Sequence, residues 1–552
     1  MPSDLQIAQN SPLQPIQNIA NSLGVPSDAL YLYGSHIAKI DPARLPAATP
    51  GKLVLVTAIN PTPAGEGKTT VSIGLADGLR CIGAHSVLAL REPSMGPVFG
   101  MKGGATGGGY AQVGPMEDIN LHFTGDMHAI TSANNLLAAL VDNHIMRGLS
   151  PLIDRVCWRR CLDVNDRQLR YIVDGLHAPI NGRTREDGFD ITPASEIMAT
   201  FCLASDGNDL RERLSRLIVG YQRDGRPVTV GEIGGVGSLL VTLRQAMRPN
   251  LVQSLAGTPA LVHGGPFANI AHGCNSVIAT KTALQLGDIV VTEAGFGADL
   301  GAEKFLDIKC RQSGLRPSAV VIVATVRALK SHAGTAKDEL SIPNATAVEN
   351  GASNLLHHIE TLRNTFGLSP IVAINRFATD SEDEIAAVQN AIRSTDALAI
   401  ACNVWGQGGE GAIELATAVK KQVDSASPDT LRFTYPLDTS YVEKARAVAQ
   451  KIYGADDIVL SSAAQRDLAE FDQMFPGLPI CVAKTQYSLS DDAKRIGRPT
   501  GFTLHVRSAH ISAGAGFVVL YTGDIITMPG LPVRPAALDI DIDEKGQTVG
   551  LF

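Results

Sequence analysis

Residues 61–70, which read PTPAGEGKTT, are the stretch of the chain whose residue types most clearly indicate chemistry. Backbone N–H groups of a glycine-containing loop can surround phosphate oxygens, and Lys68 would add a positive charge. The hydroxyl of Thr69 can bind Mg²⁺. The loop therefore predicts a site for nucleotide phosphates. Its predicted binding residues are Thr62, Pro63, Ala64, Gly65, Glu66, Gly67, Lys68, Thr69 and Thr70.

The segments on both sides of this loop support the phosphate interpretation. Residues 53–60 are an apolar run with the length of a buried strand, and Val71, Leu75 and Leu79 repeat at the spacing of one helix face. A phosphate loop joins a strand to a helix N-terminus in this way. Thr62 departs from the usual pattern, which has glycine six residues before the lysine. A capped turn without a ligand is the alternative interpretation.

A second candidate residue follows the next apolar run. Residues 86–90 predict a short buried strand, and Arg91 comes directly after it. In an open parallel sheet, ligands bind beyond the carboxyl ends of the strands. We therefore expect Arg91 to lie at the same edge as Lys68, where its guanidinium group would bind a carboxylate or a phosphate.

The same rhythm of an apolar run followed by a polar loop continues through the chain. It recurs at residues 259–262, 288–293, 319–324, 370–374 and 397–401. This pattern predicts an α/β fold with one parallel sheet whose carboxyl edge forms the active site. Three large aromatic residues, Phe296, Phe377 and Trp405, follow ends of these runs and predict a slot for a flat ring.

Composition limits the class of protein. The 552 residues suggest roughly three or four domains. A net charge of −8 argues against nucleic acid as the main partner, and no apolar run approaches the roughly 18 residues of a membrane span. The segment before Lys39 contains no Lys or Arg, unlike a targeting peptide, so we expect a cytoplasmic protein. The eight scattered cysteines predict reduced thiols rather than disulfides.

Two further stretches give weaker indications. Residues 150–225 are rich in Arg, Asp and Leu, which predicts surface helices. The glycine-rich residues 100–113 predict a backbone that approaches a ligand or closes over it as a lid. Residues 375–378 read NRFA and lack the aspartate of the guanine-reading N-K-x-D motif, which disfavours a GTPase.

With these residues laid out, the chain closely resembles the formate tetrahydrofolate ligase (formyltetrahydrofolate synthetase) family. The matching stretches are residues 61–70, 91–113, 263–275, 291–304, 323–334 and 508–532. The resemblance implies ATP-dependent ligation of formate to tetrahydrofolate through formyl phosphate, giving 10-formyltetrahydrofolate, ADP and phosphate. It also implies a homotetramer, MgATP, and activation by a monovalent cation such as K⁺ or NH₄⁺.

The resemblance further implies roles and boundaries. Lys68 and Thr69 would hold the nucleotide phosphates and Mg²⁺, Arg91 the acyl phosphate, and Phe296, Phe377 and Trp405 the folate pterin. The glycine-rich residues 103–109 would shield formyl phosphate from water. A large P-loop nucleotide-binding domain would span residues 1–355, with two smaller α/β domains around a cleft at 356–460, which carries folate-side aromatics, and at 461–552.

Two other functions fit part of the pattern. Another P-loop ligase could form an acyl phosphate and transfer the acyl group to an amine other than folate. A nucleotide-switched binding or scaffold protein would use the phosphate loop without ligase chemistry, but it would leave the aromatic slot unexplained.

Overall fold

The structure is a computed structural model that describes residues 2–63, 65–100, 106–427 and 430–551. Its largest element is a twelve-stranded sheet that contains seven neighbouring parallel strands. In chain order these are β1 (Lys52–Ala58), β2 (Ser86–Leu90), β3 (Pro259–Val262), β4 (Ile289–Glu293), β5 (Pro317–Ala324), β6 (Pro370–Asn375) and β7 (Ala399–Cys402). Their order across the sheet is β3-β2-β4-β1-β5-β6-β7, so β1 is central.

The apolar runs form strands because both of their faces are buried. Along β1, Leu53 and Leu55 pack in the core on one face of the sheet, and Val54 and Val56 pack in the core on the other. A strand covered on both faces reads as a continuous apolar run rather than as an alternating one. The predicted α/β class with a parallel sheet is confirmed.

A helix, α1 (Lys68–Cys81), follows the predicted phosphate loop as expected, but it begins at Lys68, within residues 61–70. Val71, Leu75 and Leu79 are buried against the sheet. Gly74 and Gly78 allow α1 to approach its neighbours closely, because a Cβ on Gly74 would lie 2.5 Å from the Cβ of Val404. Helix α1 is therefore held close to Val404, which follows β7.

Five shorter strands extend the sheet on the β3 side. They are Leu30–Leu32, Ala38–Ile40, Gly107–Gly108, Ala111–Gly114 and Asn250–Ser254. The strand Asn250–Ser254 pairs antiparallel with β3 and with Ala38–Ile40. These strands are short and lack the long apolar runs of the parallel set, so the sequence pattern does not predict them.

The remaining elements surround the sheet or form smaller sheets. The other α-helices are Asp4–Asn10, Ile16–Ser22, Met95–Phe99, Met116–Asn120, Asp126–Met146, Glu196–Leu203, Gly207–Arg216, Val230–Ile233, Val236–Leu243, Val277–Leu286, Arg311–Ser313, Val326–His332, Ala345–Gly351, Ser353–Asn364, Glu382–Ala391, Val404–Gln407, Ile413–Ser425, Tyr441–Val448 and Ser462–Met474. The other strands are Arg155–Val156, Arg160–Leu162, Ile172–Asp174, Arg185–Asp187, Phe189–Ile191, Ile218–Tyr221, Pro227–Thr229, Asp457–Leu460, Ile480–Ala483, Thr503–Val506, Ser508–Ser512, Phe517–Tyr521, Asp541–Ile542 and Thr548–Val549.

The prediction of surface helices throughout residues 150–225 is wrong for its first half, which forms five of these short strands. The charged residues there bridge strands instead of repeating along a helix. Arg160 pairs with Asp174 and with Asp187 at N···O distances of 3.2 Å, and Arg185 pairs with Asp174 at 3.1 Å. Charge composition alone does not distinguish pairs that bridge strands from pairs along one helix.

The C-terminal part packs on the same core as one face of the central sheet. Ile480, Leu504 and Val518 belong to the buried cluster that contains Leu55 of β1. The three-domain division stays a prediction, and the central sheet continues beyond residue 355 because β6 and β7 belong to it. No helix in the described part of the chain has the length and apolarity needed to cross a membrane.

Gly74→Ala should lower the apparent melting temperature, because the new methyl group collides with Val404. Overpacking of this kind costs about 1–3 kcal/mol, more than the roughly 1 kcal/mol that alanine gains over glycine inside a helix. Gly237→Ala in Val236–Leu243 is the matched control, because its Cβ would meet nothing within 4 Å. Equal melting temperatures for the two variants in a thermal scan would contradict the close approach of α1 to Val404.

Candidate active site

The phosphate loop leaves the end of β1 and opens helix α1. Gly67 is the N-cap residue with φ +70°, and within the described ranges no side chain caps the helix N-terminus. A Cβ on Gly67 would collide with the amide of Asn375, the last residue of β6. Glycine is thus required here both by the left-handed backbone and by the close approach. The uncapped N–H groups at the start of α1 remain available to phosphate oxygens.

A buried carboxylate holds the loop from inside. Glu66 is 2% exposed, and its Oε1 accepts hydrogen bonds from the backbone N (2.8 Å) and hydroxyl (3.0 Å) of Thr62. Its Oε2 accepts from the hydroxyl of Thr325, which follows β5. The amide of Asn375 donates to the backbone carbonyl of Glu66 (3.1 Å). Thr62, which replaces the usual glycine, therefore stabilises the loop through its side chain.

Lys68 and Thr69 face Glu293, the last residue of β4. The hydroxyl of Thr69 donates to Glu293, with its oxygen 2.9 and 3.0 Å from the two carboxylate oxygens, and Glu293 is 2% exposed. Burial lowers the pKa of Lys68, while the negative charge of Glu293 opposes that shift and the positive charge of Arg91 adds to it. These charge effects place Lys68, Glu293 and Arg91 near one another at the carboxyl edge.

Arg91 follows β2 at this edge, as predicted. Its Nε atom is buried and has no hydrogen-bond partner among the residues that the structure describes. A Cβ on Gly295 would lie 3.2 Å from Nη1 of Arg91, so a side chain there would crowd the guanidinium group. A buried guanidinium N–H without a partner is costly, and an anionic ligand would satisfy it.

Two buried lysines fix the loop beside Arg91. Lys304 donates to the carbonyl of Ala268 (2.7 Å), and Lys309 donates to the carbonyl of Asn275 (2.8 Å). The lysines belong to a helical segment with π-helical turns at Ala298–Ala302 and Phe305–Cys310. A π-helix closes i→i+5 hydrogen bonds and so brings residues five apart onto one face. The unusual helix therefore lets both lysines reach the same loop.

The three predicted folate-side aromatics lie in different surroundings. Phe296 has φ +60°, an uncommon left-handed conformation for a bulky residue, which points to a functional constraint. The guanidinium carbon of Arg327 lies 3.6 Å from the ring centroid of Phe377. Trp405 donates its indole N–H to Asp4 (3.0 Å). Within the described ranges, no ring of the three stacks on another, so the slot stays a prediction.

Part of the predicted site lies outside the described residues. Ala64 of the phosphate loop and residues 103–105 of the predicted lid belong to this part. The lid residues 107–108 are described and pair with Ala111–Gly114.

Comparison with known proteins shows the family to which the whole chain belongs. The family model described as formate–tetrahydrofolate ligase matches residues 2–552. The chain belongs to the formate–tetrahydrofolate ligase family. It is 56% identical over 561 residues to the formate–tetrahydrofolate ligase of Arthrobacter sp. (strain FB24), an alignment that covers 100% of this chain and 99% of that protein. It is 57% identical over 559 residues to that of Methylobacterium sp. (strain 4-46), which covers both chains fully.

The resemblance to this ligase family, which was inferred from the motifs, is therefore confirmed. The sequence pattern missed two residues that shape the site, Glu293 and Asn375, and it placed Glu66 in the loop without its supporting role. Glu293 had a usable signal, because it ends an apolar run predicted to join the same sheet as β1. The roles of Glu66 and Asn375 depend on contacts between distant segments, which no local pattern reveals.

The lowered pKa of Lys68 predicts a pH dependence of ATP binding. The ammonium form is present below this pKa and is lost as the pH rises through it, and burial places the pKa below the ordinary 10.5. The affinity for ATP, measured by calorimetry, should therefore decline with pH before 10.5 is reached. Lys68→Arg keeps its charge at these pH values and should remove the decline. An unchanged decline in Lys68→Arg would exclude Lys68 as its cause.

Proposed function

We propose that the chain ligates formate to tetrahydrofolate with ATP, through formyl phosphate, to give 10-formyltetrahydrofolate, ADP and phosphate. The observation that carries this proposal is the meeting, at one sheet edge, of a glycine-containing loop that opens a helix, a carboxylate-bound threonine, and Arg91, whose buried Nε has no partner among the described residues. Both relatives reported above are named as ligases of formate and tetrahydrofolate. The proposal also includes a homotetramer, a cytoplasmic location, and activation by K⁺ or NH₄⁺. The proposed mechanism gives the monovalent cation no step.

Formate must be activated before an amine can displace one of its oxygens, because hydroxide is a very poor leaving group. A carboxylate oxygen of formate attacks the γ-phosphorus of ATP, ADP leaves, and formyl phosphate forms. In this step Lys68 and the N–H groups at the start of α1 hold the nucleotide phosphates, while Arg91 binds the anion being phosphorylated. Phosphoryl transfer needs mainly positioning and compensation of negative charge.

Thr69 and Glu293 would hold Mg²⁺. Their hard oxygen atoms suit this ion, which usually takes one or two protein ligands and completes its shell with phosphates and water. No group of three or more His, Cys, Asp or Glu residues within the described segments could hold a metal by itself, in keeping with a site that the nucleotide completes. The ion would neutralise charge on the β- and γ-phosphates.

In the second step the N10 amine of tetrahydrofolate attacks the formyl carbon, and phosphate leaves. Phe296, Phe377 and Trp405 would bind the pterin by stacking. Arg327 covers one face of Phe377, so the pterin would use the other face. The glycine-rich residues 103–109 would shield formyl phosphate from hydrolysis.

Removing the carboxylate partner of Thr69 should weaken the use of Mg²⁺. Glu293→Gln is expected to raise the Mg²⁺ concentration for half-maximal rate by roughly 10–100-fold, the usual effect of losing a group that supports a metal site. Thr69→Ser keeps the hydroxyl and serves as the matched control. A Mg²⁺ titration of Glu293→Gln that overlays the wild-type curve would exclude this role.

The proposed function itself is tested by a coupled ADP assay in which formate and tetrahydrofolate are omitted in turn. We expect ADP release only when both are present, and none from Lys68→Ala. Arg91→Ala should lower the turnover number by more than about threefold, roughly 0.7 kcal/mol of barrier.

Each other outcome of this assay points to a different function. ADP release that needs formate but not tetrahydrofolate, and that rises with another amine, would indicate a different acyl-phosphate ligase. ATP binding without any formate-dependent ADP release would indicate a nucleotide-switched binding protein.

A further inference from the structure

Asn60 joins the phosphate loop to segments far away in the sequence. It lies just after β1, directly before the loop, and is 1% exposed. Its side-chain Nδ2 donates to Oδ1 of Asp299 (3.1 Å) and to the carbonyl of Gln486 (3.2 Å). Both of these partners can only accept from an amide, so they fix which way the Asn60 amide points.

The other polar atoms of Asn60 are bonded as well. Its Oδ1 accepts from Nδ2 of Asn354 (2.8 Å) and Nε2 of His358 (3.0 Å), and its backbone N donates to Oδ1 of Asn354 (3.2 Å). Its backbone carbonyl accepts from Nε2 of His332 (3.1 Å). Every polar atom of Asn60 is thus hydrogen-bonded, and the bonds connect its segment to four others.

The partners of Asn60 extend the network toward both sides of the proposed reaction. Asp299 lies three residues after Phe296 and also accepts from Lys484 (2.7 Å). Asn354 also donates to the carbonyl of Gly497 (2.8 Å). The phosphate loop is therefore tied to the segment after Phe296 and to residues 484–497 of the C-terminal part.

The charged groups of this network are Asp299 and Lys484, which form an ion pair. Burial lowers the pKa of His332 to about 4 and that of His358 to about 3, so both imidazoles are neutral at neutral pH. Burial raises the pKa of Asp299, but the charge of Lys484 and the hydrogen bonds from Lys484 and Asn60 outweigh it and leave the pKa below its ordinary value. A neutral amide between these groups satisfies hydrogen bonds without adding another buried charge.

We propose that Asn60 is a positioning residue, which holds the phosphate loop in fixed register with the segment after Phe296 and with residues 484–497. This inference rests on the proposed function, in which a phosphoryl group and a pterin must meet. Asn60 touches neither reacting group. It acts by keeping their binding elements at one separation, and a small misplacement of reacting atoms is enough to slow a reaction greatly.

Asn60→Ser and Asn60→Asp test this role by two measurements. The turnover number for ADP release should fall by about tenfold or more, a barrier increase of about 1.4 kcal/mol. The dissociation constant of ATP should change by less than about threefold, because the bonds of Glu66 and Thr69 do not pass through Asn60. Asn60→Asp should be the slower variant, because it turns a carboxylate oxygen toward Asp299.

Hydrogen exchange gives a readout that does not depend on catalysis. In the ligand-free Asn60→Ser protein, backbone amides of residues 298–302 and 484–497 should exchange faster than in the wild type. If wild-type protein lacks formate-dependent ADP release, the proposed function fails, and exchange still decides whether Asn60 holds these segments. Unchanged exchange, or a turnover number within about twofold of wild type, would overturn the inference.

Two further variants separate positioning from general stability. Asn134→Ser removes another buried asparagine, 2% exposed, which donates to the carbonyl of Arg159. It should lower the melting temperature and leave the turnover number unchanged, and an equal loss of turnover in this control would overturn the inference. His358→Gln keeps an N–H donor for Asn60 and should retain most of the turnover that His358→Leu loses. Equal turnover numbers in the two His358 variants would also contradict the network.

Discussion

The structure depends on keeping opposite charges close together at a sheet edge before any substrate binds. Lys68 has a positive charge that burial disfavours, and Glu293 on the neighbouring strand compensates for it. Glu66 brings a second carboxylate into the predicted phosphate loop, and hydroxyl and N–H donors hold it there. Parallel strands meet this demand because their carboxyl ends place side chains from distant parts of the sequence side by side.

This arrangement shows why a phosphate loop can depart from the usual pattern. In the common pattern a glycine stands where this chain has Thr62, and it gives the backbone freedom to turn. Here the turn is stabilised by hydrogen bonds from Thr62 to Glu66, and the amide of Asn375 holds the next peptide. The loop shape is thus supported by neighbouring strand ends, which reduces the ordering that nucleotide binding must supply.

The sequence predicted most reliably what depends on local pattern. Every parallel strand is a run of apolar residues ended by a polar loop, and Val71, Leu75 and Leu79 lie on one buried face of helix α1 as their spacing predicted. The same reasoning failed for residues 155–191, because arginine and aspartate pair across strands there as readily as they would along a helix. The supporting roles of Glu66 and Asn60 were hidden, since Thr325 and Asp299, which bond to them, lie more than two hundred residues away. The left-handed backbone of Phe296 also has no local signal, because it is imposed by surrounding structure.

The π-helical segment makes chain length itself a functional property. Lys304 and Lys309 reach one loop only because the wider helix places them on the same side. In an ordinary α-helix, residues five apart differ by about 140° around the axis, so Lys304 and Lys309 would point to different sides. A gain or loss of one residue along 298–310 would therefore demand a different helix type, whereas an exchange of side chains would not. Insertions and deletions should accumulate elsewhere, in surface loops whose length constrains nothing at the sheet edge.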